Sequence, residues 1–330
     1  GFRPDALESA FYEGLVICLH HAEPYTLYVE SVPTAVSDEA GLSSPITPQG
    51  SPGHADPGPW NEPKQAAYYE AYCARSPLYR ELAAALVAFA EFPPEARVAD
   101  LGAGTGVSAQ ALLEALGEKG RVVGFDPAPL MVEASTRLIR DPRAEFRLGT
   151  ARELRAMAEV AAFGGVMCNS AIWLDRHMAH ALQHIANGLT PEGRFALSLP
   201  SEYLGQVEHR MSEAAIAFSE AIQEARIRFK VDGPSTADLP HVELLGTEAR
   251  LFTGLEKAGF SDVTSQTWTH WWTAADYLEW LEQPVLLDGM CGQLDASARA
   301  DFLAHVRENI DLTMPMASVW HLIRAIRPPS

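Results

Sequence analysis

Residues 98–106 read Val98-Ala99-Asp100-Leu101-Gly102-Ala103-Gly104-Thr105-Gly106, and a second apolar run, Val122-Val123-Gly124-Phe125, ends on Asp126. A short apolar run bounded by a glycine cluster predicts a buried strand from Val98 to Leu101. The stretch Ser108–Leu116 predicts the helix that leaves the turn. Glycines at 102, 104 and 106 leave no Cβ to hold the backbone off a ligand, and they leave the loop's N–H groups available as donors. The second run delivers a carboxylate beside that loop, where both hydroxyls of a ribose can donate to it. Together these features predict a nucleoside ligand.

Two such ligands compete, a dinucleotide and S-adenosylmethionine. The dinucleotide fingerprint requires Gly-x-Gly-x-x-Gly, and the position that would hold its third glycine is Val107. The spacing is instead Gly-x-Gly-x-Gly, preceded by Asp100, and this resembles the first motif of class I S-adenosylmethionine-dependent methyltransferases. Further matches follow in order. Asp126 corresponds to the ribose-binding acid, and Pro127-Ala128-Pro129-Leu130-Met131 to the segment that packs an apolar side chain on the adenine. Phe146 to Arg152 resembles the third strand and its turn, with Thr150 where the family has Asp, so a hydroxyl or a backbone carbonyl would meet the adenine amine. Phe163–Ser170 resembles the fourth strand, and Leu189–Leu199 the turn and fifth strand. The resemblance spans about residues 64–200, and more loosely 247–327. It implies a Rossmann-like α/β fold: a mostly parallel seven-stranded sheet with helices on both faces, helical insertions and an N-terminal extension.

The chain has 330 residues, 47% hydrophobic and 21% charged, the composition of a globular enzyme with a large core. Its net charge of −18 argues against nucleic acid, whose phosphates need a basic face, and against an anionic membrane surface. The four cysteines are scattered, with no Cys-x-x-Cys pair, so neither a disulfide framework nor a metal site is expected. No apolar run reaches bilayer-spanning length and no signal-peptide pattern stands out, so a cytoplasmic location is expected.

Residues 1–63 divide into two apolar segments, Phe11–Leu19 and Tyr25–Val32, followed by a connector rich in Pro, Gly and Ser. A helix is expected from Lys64 to Tyr72 and a second from Leu78 to about Phe92, stopped by Pro93-Pro94. Strand–helix alternation then continues to Leu199, which predicts a parallel sheet. Val207, Met211, Ala214, Phe218, Ile222, Ala225 and Phe229 recur at helical spacing and predict one long helix over 204–230. Glu248–Ala258, capped by Gly259, predicts another helix. Val263–Trp268 and Val319–Ile326 predict the last strands, with helices near Ala275–Leu281 and Ala296–Asn309 between them. The expected organisation is an extension (1–63) and one domain (64–330), with 204–245 and 273–315 inserted on the substrate side.

Ligands in open α/β sheets lie beyond the carboxyl ends of the strands. The resemblance therefore implies cofactor contacts from Asp100, Gly102, Ala103, Gly104, Asp126, Pro127, Met131, Thr150, Ala151, Arg152, Asn169 and Ser170. Tyr68 and Tyr72 share a helical face and are expected to close over the cofactor. Methyl transfer needs a base only when the nucleophile carries a proton. His177, His209, His241 and His270 are the candidates. His270 leads, lying in Trp268-Thr269-His270-Trp271-Trp272 at the end of a predicted strand. Tyr72 and Tyr203 are further catalytic candidates, and Trp173 a pocket-lining one. The chain lacks an Asn/Asp-Pro-Pro-Tyr/Phe segment after the fourth strand, which disfavours methylation of amino groups on nucleic-acid bases or glutamine. The expected function is methyl transfer to a small molecule, in specialised metabolism. The alternatives are an enzyme that cyclises S-adenosylmethionine with release of methylthioadenosine, and a non-catalytic S-adenosylmethionine-binding subunit.

Overall fold

The computed structural model describes residues 57–158, 162–175, 178–206, 212–231, 247–292 and 294–329. The two N-terminal apolar segments, most of the connector, and Arg176, His177, Val207, His209, Met211 and His241 lie outside these residues.

Seven strands form one sheet: β1 (Arg97–Leu101), β2 (Arg121–Asp126), β3 (Ala144–Leu148), β4 (Phe163–Asn169), β5 (Leu189–Pro200), β6 (Ser261–Thr273) and β7 (Pro315–Ile326). Their order is β3-β2-β1-β4-β5-β7-β6. The first five are parallel, and β7 runs antiparallel between β5 and β6. β1 is central and covered on both faces, so Val98 to Leu101 are all buried, and its sequence reads as a continuous apolar run interrupted only by Asp100.

Helix α1 (Pro63–Arg75) opens with proline at its first position, where no N–H is needed. In α2 (Leu78–Ala90), Leu78, Leu82 and Leu86 are fully buried against the sheet. Each such leucine contributes about 1.5–3 kcal/mol of hydrophobic stabilisation. Glu91, at φ 52°, ends α2 before Pro93-Pro94. The sheet-flanking helices are α3 (Val107–Ala115), α4 (Pro129–Leu138), α5 (Ala151–Ala158) and α6 (Met178–Gly188). The later ones are α7 (Glu213–Arg228), α8 (Glu248–Lys257), α9 (Ala274–Leu281), α10 (Pro284–Cys291) and α11 (Ala296–Glu308).

Three expectations are corrected. The helix expected over 204–230 begins only at Glu213, where the Ser212 hydroxyl accepts the Ala215 N–H. Tyr203 and Leu204 instead belong to a single tight turn, Ser201–Leu204, closed by Gly205 at φ 70°. β6 runs on to Thr273, so His270 lies inside the strand, not at its end. α10 was not expected; Pro284 marks its start.

The length of the last two strands matters for the site. β5 pairs with β7 as far as Pro200 opposite Trp320, whereas β6 and β7 stay paired out to Thr273 opposite Pro315. A two-stranded arm therefore projects past the carboxyl end of β5, on the side where the glycine loop opens.

Candidate active site

The loop after β1 holds Gly102, Gly104 and Gly106 at φ 69°, 53° and 91°, a left-handed path that glycine follows without steric cost. Its amides point inward. The N–H groups of Gly102 and Ala103 both donate to the Phe125 carbonyl (2.8 and 3.1 Å), and that of Gly104 donates to Asp126 Oδ2 (2.9 Å). The expectation that these N–H groups face a ligand is thus corrected. The loop offers close approach instead, which suits a ligand without phosphate.

Asp126 ends β2 with Oδ2 bonded to Gly104 N–H and Oδ1 to Ala128 N–H (2.9 Å each). Burial raises its carboxyl, and the two amides oppose that shift. A carboxylate has about four acceptor positions, so two remain for ribose hydroxyls. Asp100 is fully buried. Burial, then the Asp126 charge, pushes it up to about 8, and the Ala109 backbone N–H opposes that shift. Met131 (2% exposed) and Ala151 (6% exposed) are buried next to the ends of β2 and β3, Pro127 is partly buried, and Arg152 is exposed. Thr150 donates through both its N–H (2.7 Å) and its hydroxyl (2.9 Å) to Glu153 Oε2. That is the capping arrangement of a helix start, and it commits the Thr150 hydroxyl proton to Glu153.

Helix α1 lies across the loop, but with a different face from the one expected. Tyr69 is the tyrosine over Gly104: a Cβ there would sit 3.4 Å from its ring. Tyr68 donates to the Glu279 carbonyl at 2.6 Å, and Tyr72, 1% exposed, takes a hydrogen bond from Ser76 and packs on Tyr79. Tyr69 stacks edge-on with Trp60. Asn61 Oδ1 accepts the Leu130 N–H, and Glu70 pairs with Arg137, so the segment also straps down α4. Asn61, Trp60 and Tyr69 carry no motif; the clustering of Tyr68, Tyr69 and Tyr72 was the available signal.

This placement predicts that Tyr69→Ala weakens S-adenosylhomocysteine binding more than Tyr68→Ala does. The amides of 64–76 are expected to gain protection from hydrogen exchange when that ligand is added. Equal protection with and without it would make the segment ordinary framework.

Beyond β4 and β5 lies a third group of residues. Ser170 takes φ 59°, a left-handed conformation for a non-glycine residue. Its N–H donates to Ser198 Oγ, which donates to Asn169 Oδ1 at 2.6 Å. Trp173 stacks on Tyr203 (4.8 Å between centroids) and touches Trp320. The projecting arm continues this wall with Trp268, His270 and Trp272 on one face. His270 is 8% exposed, with Nδ1 3.5 Å from Glu81 Oε2 on α2. Burial lowers its pKa, and Glu81 opposes that. Glu81, nearly two hundred residues away in sequence, had no motif to mark it. The indole N–H groups of Trp272 and Trp320 are buried without a partner. Among the described residues, no cluster of His, Cys, Asp and Glu is placed to hold a metal ion, and no helix is long and apolar enough to cross a membrane.

No curated protein matches this chain. Among solved structures, the YcgJ protein of Bacillus subtilis is similar, with 17% identity and a TM-score of 0.47, over 76% of this chain and 99% of that one. Phosphoethanolamine N-methyltransferase 2 of Haemonchus contortus, in complex with S-adenosyl-L-methionine, has 14% identity and a TM-score of 0.41, over 74% and 52%. The [4+2]-cyclase SpnF has 14% identity and a TM-score of 0.44, over 76% and 82%. Residues 98–193 match the family model described as a methyltransferase domain.

Proposed function

We propose that this chain methylates a small organic acceptor of specialised metabolism, bound between the glycine loop and the projecting β6–β7 arm. The observation that carries the reading is His270 paired with Glu81 on an arm of tryptophans that overhangs the carboxyl ends of the parallel strands. The buried indole N–H groups of Trp272 and Trp320 favour an acceptor that brings its own oxygen or nitrogen acceptor atoms, since an unmet buried donor costs about 1–3 kcal/mol.

The residues present fit the cofactor. Asp126 would accept from the ribose, Met131 and Ala151 would pack near the adenine, and the Asn169–Ser170 turn would hold the methionine end. Tyr69 would close over the glycine loop. Bound S-adenosylmethionine supplies an electrophilic methyl carbon on a sulfonium. His270, with Nδ1 toward Glu81, offers Nε2 to take the proton from the acceptor's hydroxyl or amine as its lone pair attacks. Glu81 stabilises the resulting imidazolium. General-base assistance of this kind contributes about 10²–10⁴-fold.

The test is incubation of the chain with S-adenosylmethionine, alone and with a panel of phenols, enols and amines. Methylated acceptor and S-adenosylhomocysteine are expected. Methylthioadenosine from the cofactor alone would mean cyclisation instead, and no turnover with tight binding would mean a non-catalytic subunit. His270→Gln is expected to lower kcat by about 10²-fold with S-adenosylhomocysteine affinity unchanged. A base works only when neutral, so activity should rise with pH through the lowered His270 pKa and level off above it. Removing the Glu81 charge lowers that pKa further, so Glu81→Gln should move the acidic limb to lower pH. An acidic limb unchanged in His270→Gln would remove His270 from the mechanism.

A further inference from the structure

The sheet has two edge strands, and they are built differently. β3 is five residues long, and its exposed Glu145 and Arg147 pair at 2.5 Å. Short length and charge are the usual devices that keep an edge from pairing with another chain. β6 has neither. It spans thirteen residues, and from Val263 to Thr273 there is no Asp, Glu, Lys or Arg. A chain that is 21% charged would place about two charged residues in such a stretch.

The inner edge of β6 pairs with β7 from Thr264 to Thr273, and among the described residues no strand pairs with the outer one. Contacts to helices lie on the faces: Ser265 meets Glu248 of α8, and His270 meets Glu81 of α2. Thr267 and Thr269 are exposed between them, and the Trp271 indole is 67% exposed. Exposed tryptophan on an unpaired, charge-free edge is a template for strand addition.

We propose that two copies of this chain pair antiparallel along their β6 outer edges, about a two-fold axis normal to the sheet. The result is one continuous sheet of fourteen strands. A second copy is the occupant that the charge pattern favours. Two bodies of net charge −18 repel, so the seam where they meet has to carry little charge; β6 adds none from Val263 to Thr273, and the Glu248 carboxylate beside it is hydrogen-bonded by Ser265. An axis at Thr267 sets Thr267 against Thr267, Ser265 against Thr269, and Trp271 against Val263. These are Thr–Thr and Ser–Thr hydroxyl pairs and an aromatic–β-branched pair, the combinations that stabilise cross-strand contacts.

Light scattering after gel filtration, together with sedimentation velocity, tests this on the full chain. A particle of twice the 35.9 kDa chain mass is expected. Thr267→Lys puts like charges opposite each other across the axis and should weaken association at least about tenfold. Trp271→Lys should do the same, and Thr267→Val should not. Both sites are exposed, so thermal stability and S-adenosylhomocysteine affinity should stay at the parent values and report that each variant is folded. A monomeric parent chain would overturn the proposal. So would a dimer that both lysine variants leave intact, which would place the interface elsewhere.

Discussion

Asp126→Ala is expected to weaken S-adenosylhomocysteine binding at least about tenfold, a loss of about 1.4 kcal/mol. Two effects point the same way. A carboxylate accepting from ribose hydroxyls makes charge-assisted hydrogen bonds of roughly 1.5–3 kcal/mol each before compensation. The same carboxylate also holds the glycine loop, through Gly104 N–H on one oxygen and Ala128 N–H on the other. Alanine strands both amides, so the loop loses its anchor as the ligand loses its acceptor. Asp126→Asn separates the effects. Its carbonyl can still serve one amide, while its NH2 group turns a donor toward the other. Thermal stability should therefore fall less in Asp126→Asn than in Asp126→Ala, while affinity falls in both. Calorimetry showing unchanged affinity in a folded Asp126→Ala chain would remove Asp126 from the site.

The parts of the fold that were legible in the sequence are those where burial leaves an unambiguous pattern. β1, β2 and β4 are covered on both faces, so their runs of Val, Ala, Phe and Met stand out, and the glycine turn after β1 marks where the sheet opens. The edge strand β6 has no such pattern. Ser265, Gln266 and Thr267 are exposed in succession, and only Trp268, His270 and Trp272 alternate toward the interior, so its length could not be read. The helix at 204–230 failed for the opposite reason. Apolar spacing continued straight through Ser212, and the capping hydroxyl was outweighed by periodicity.

The site shows the same division. Asp126 could be placed because a strand end fixes where its side chain goes. Tyr69 could not, because three tyrosines within five residues cover most of the helix surface, and only the neighbours of α1 decide which of them meets Gly104. Tyr68 is drawn away by the Glu279 carbonyl and Tyr72 by the α2 contact with Tyr79. The inward turn of the loop amides was equally invisible, since it depends on the Phe125 carbonyl of another strand. Local signals locate the glycine loop; partners distant in sequence decide which side chains pack around it.

Alanine at the three loop glycines should damage the fold in the order Gly102, Gly106, Gly104. All three lie at positive φ, which costs an L-residue about 1–2 kcal/mol. They differ in what the new Cβ meets. At Gly102 it would lie 2.5 Å from Ala171 Cβ. Both atoms are fixed to backbone, so neither can rotate away, and the turns after β1 and β4 must separate. Forcing packed groups apart adds about 1–3 kcal/mol, so Gly102→Ala should lose roughly 2–5 kcal/mol of stability in all. At Gly106 the clash is with Ile139 Cγ1 at 2.7 Å, a branch that can change rotamer. At Gly104 the nearest atom is Tyr69 Cε1 at 3.4 Å, an ordinary contact, so the backbone strain stands alone. Gly104→Ala should accordingly fold best of the three yet still bind S-adenosylhomocysteine poorly, because its methyl group takes up the narrow space beneath Tyr69. Thermal denaturation and calorimetry on the same preparations read the two quantities separately. A Gly104→Ala chain that binds S-adenosylhomocysteine as tightly as the parent would show that the ligand does not pass between Tyr69 and the loop.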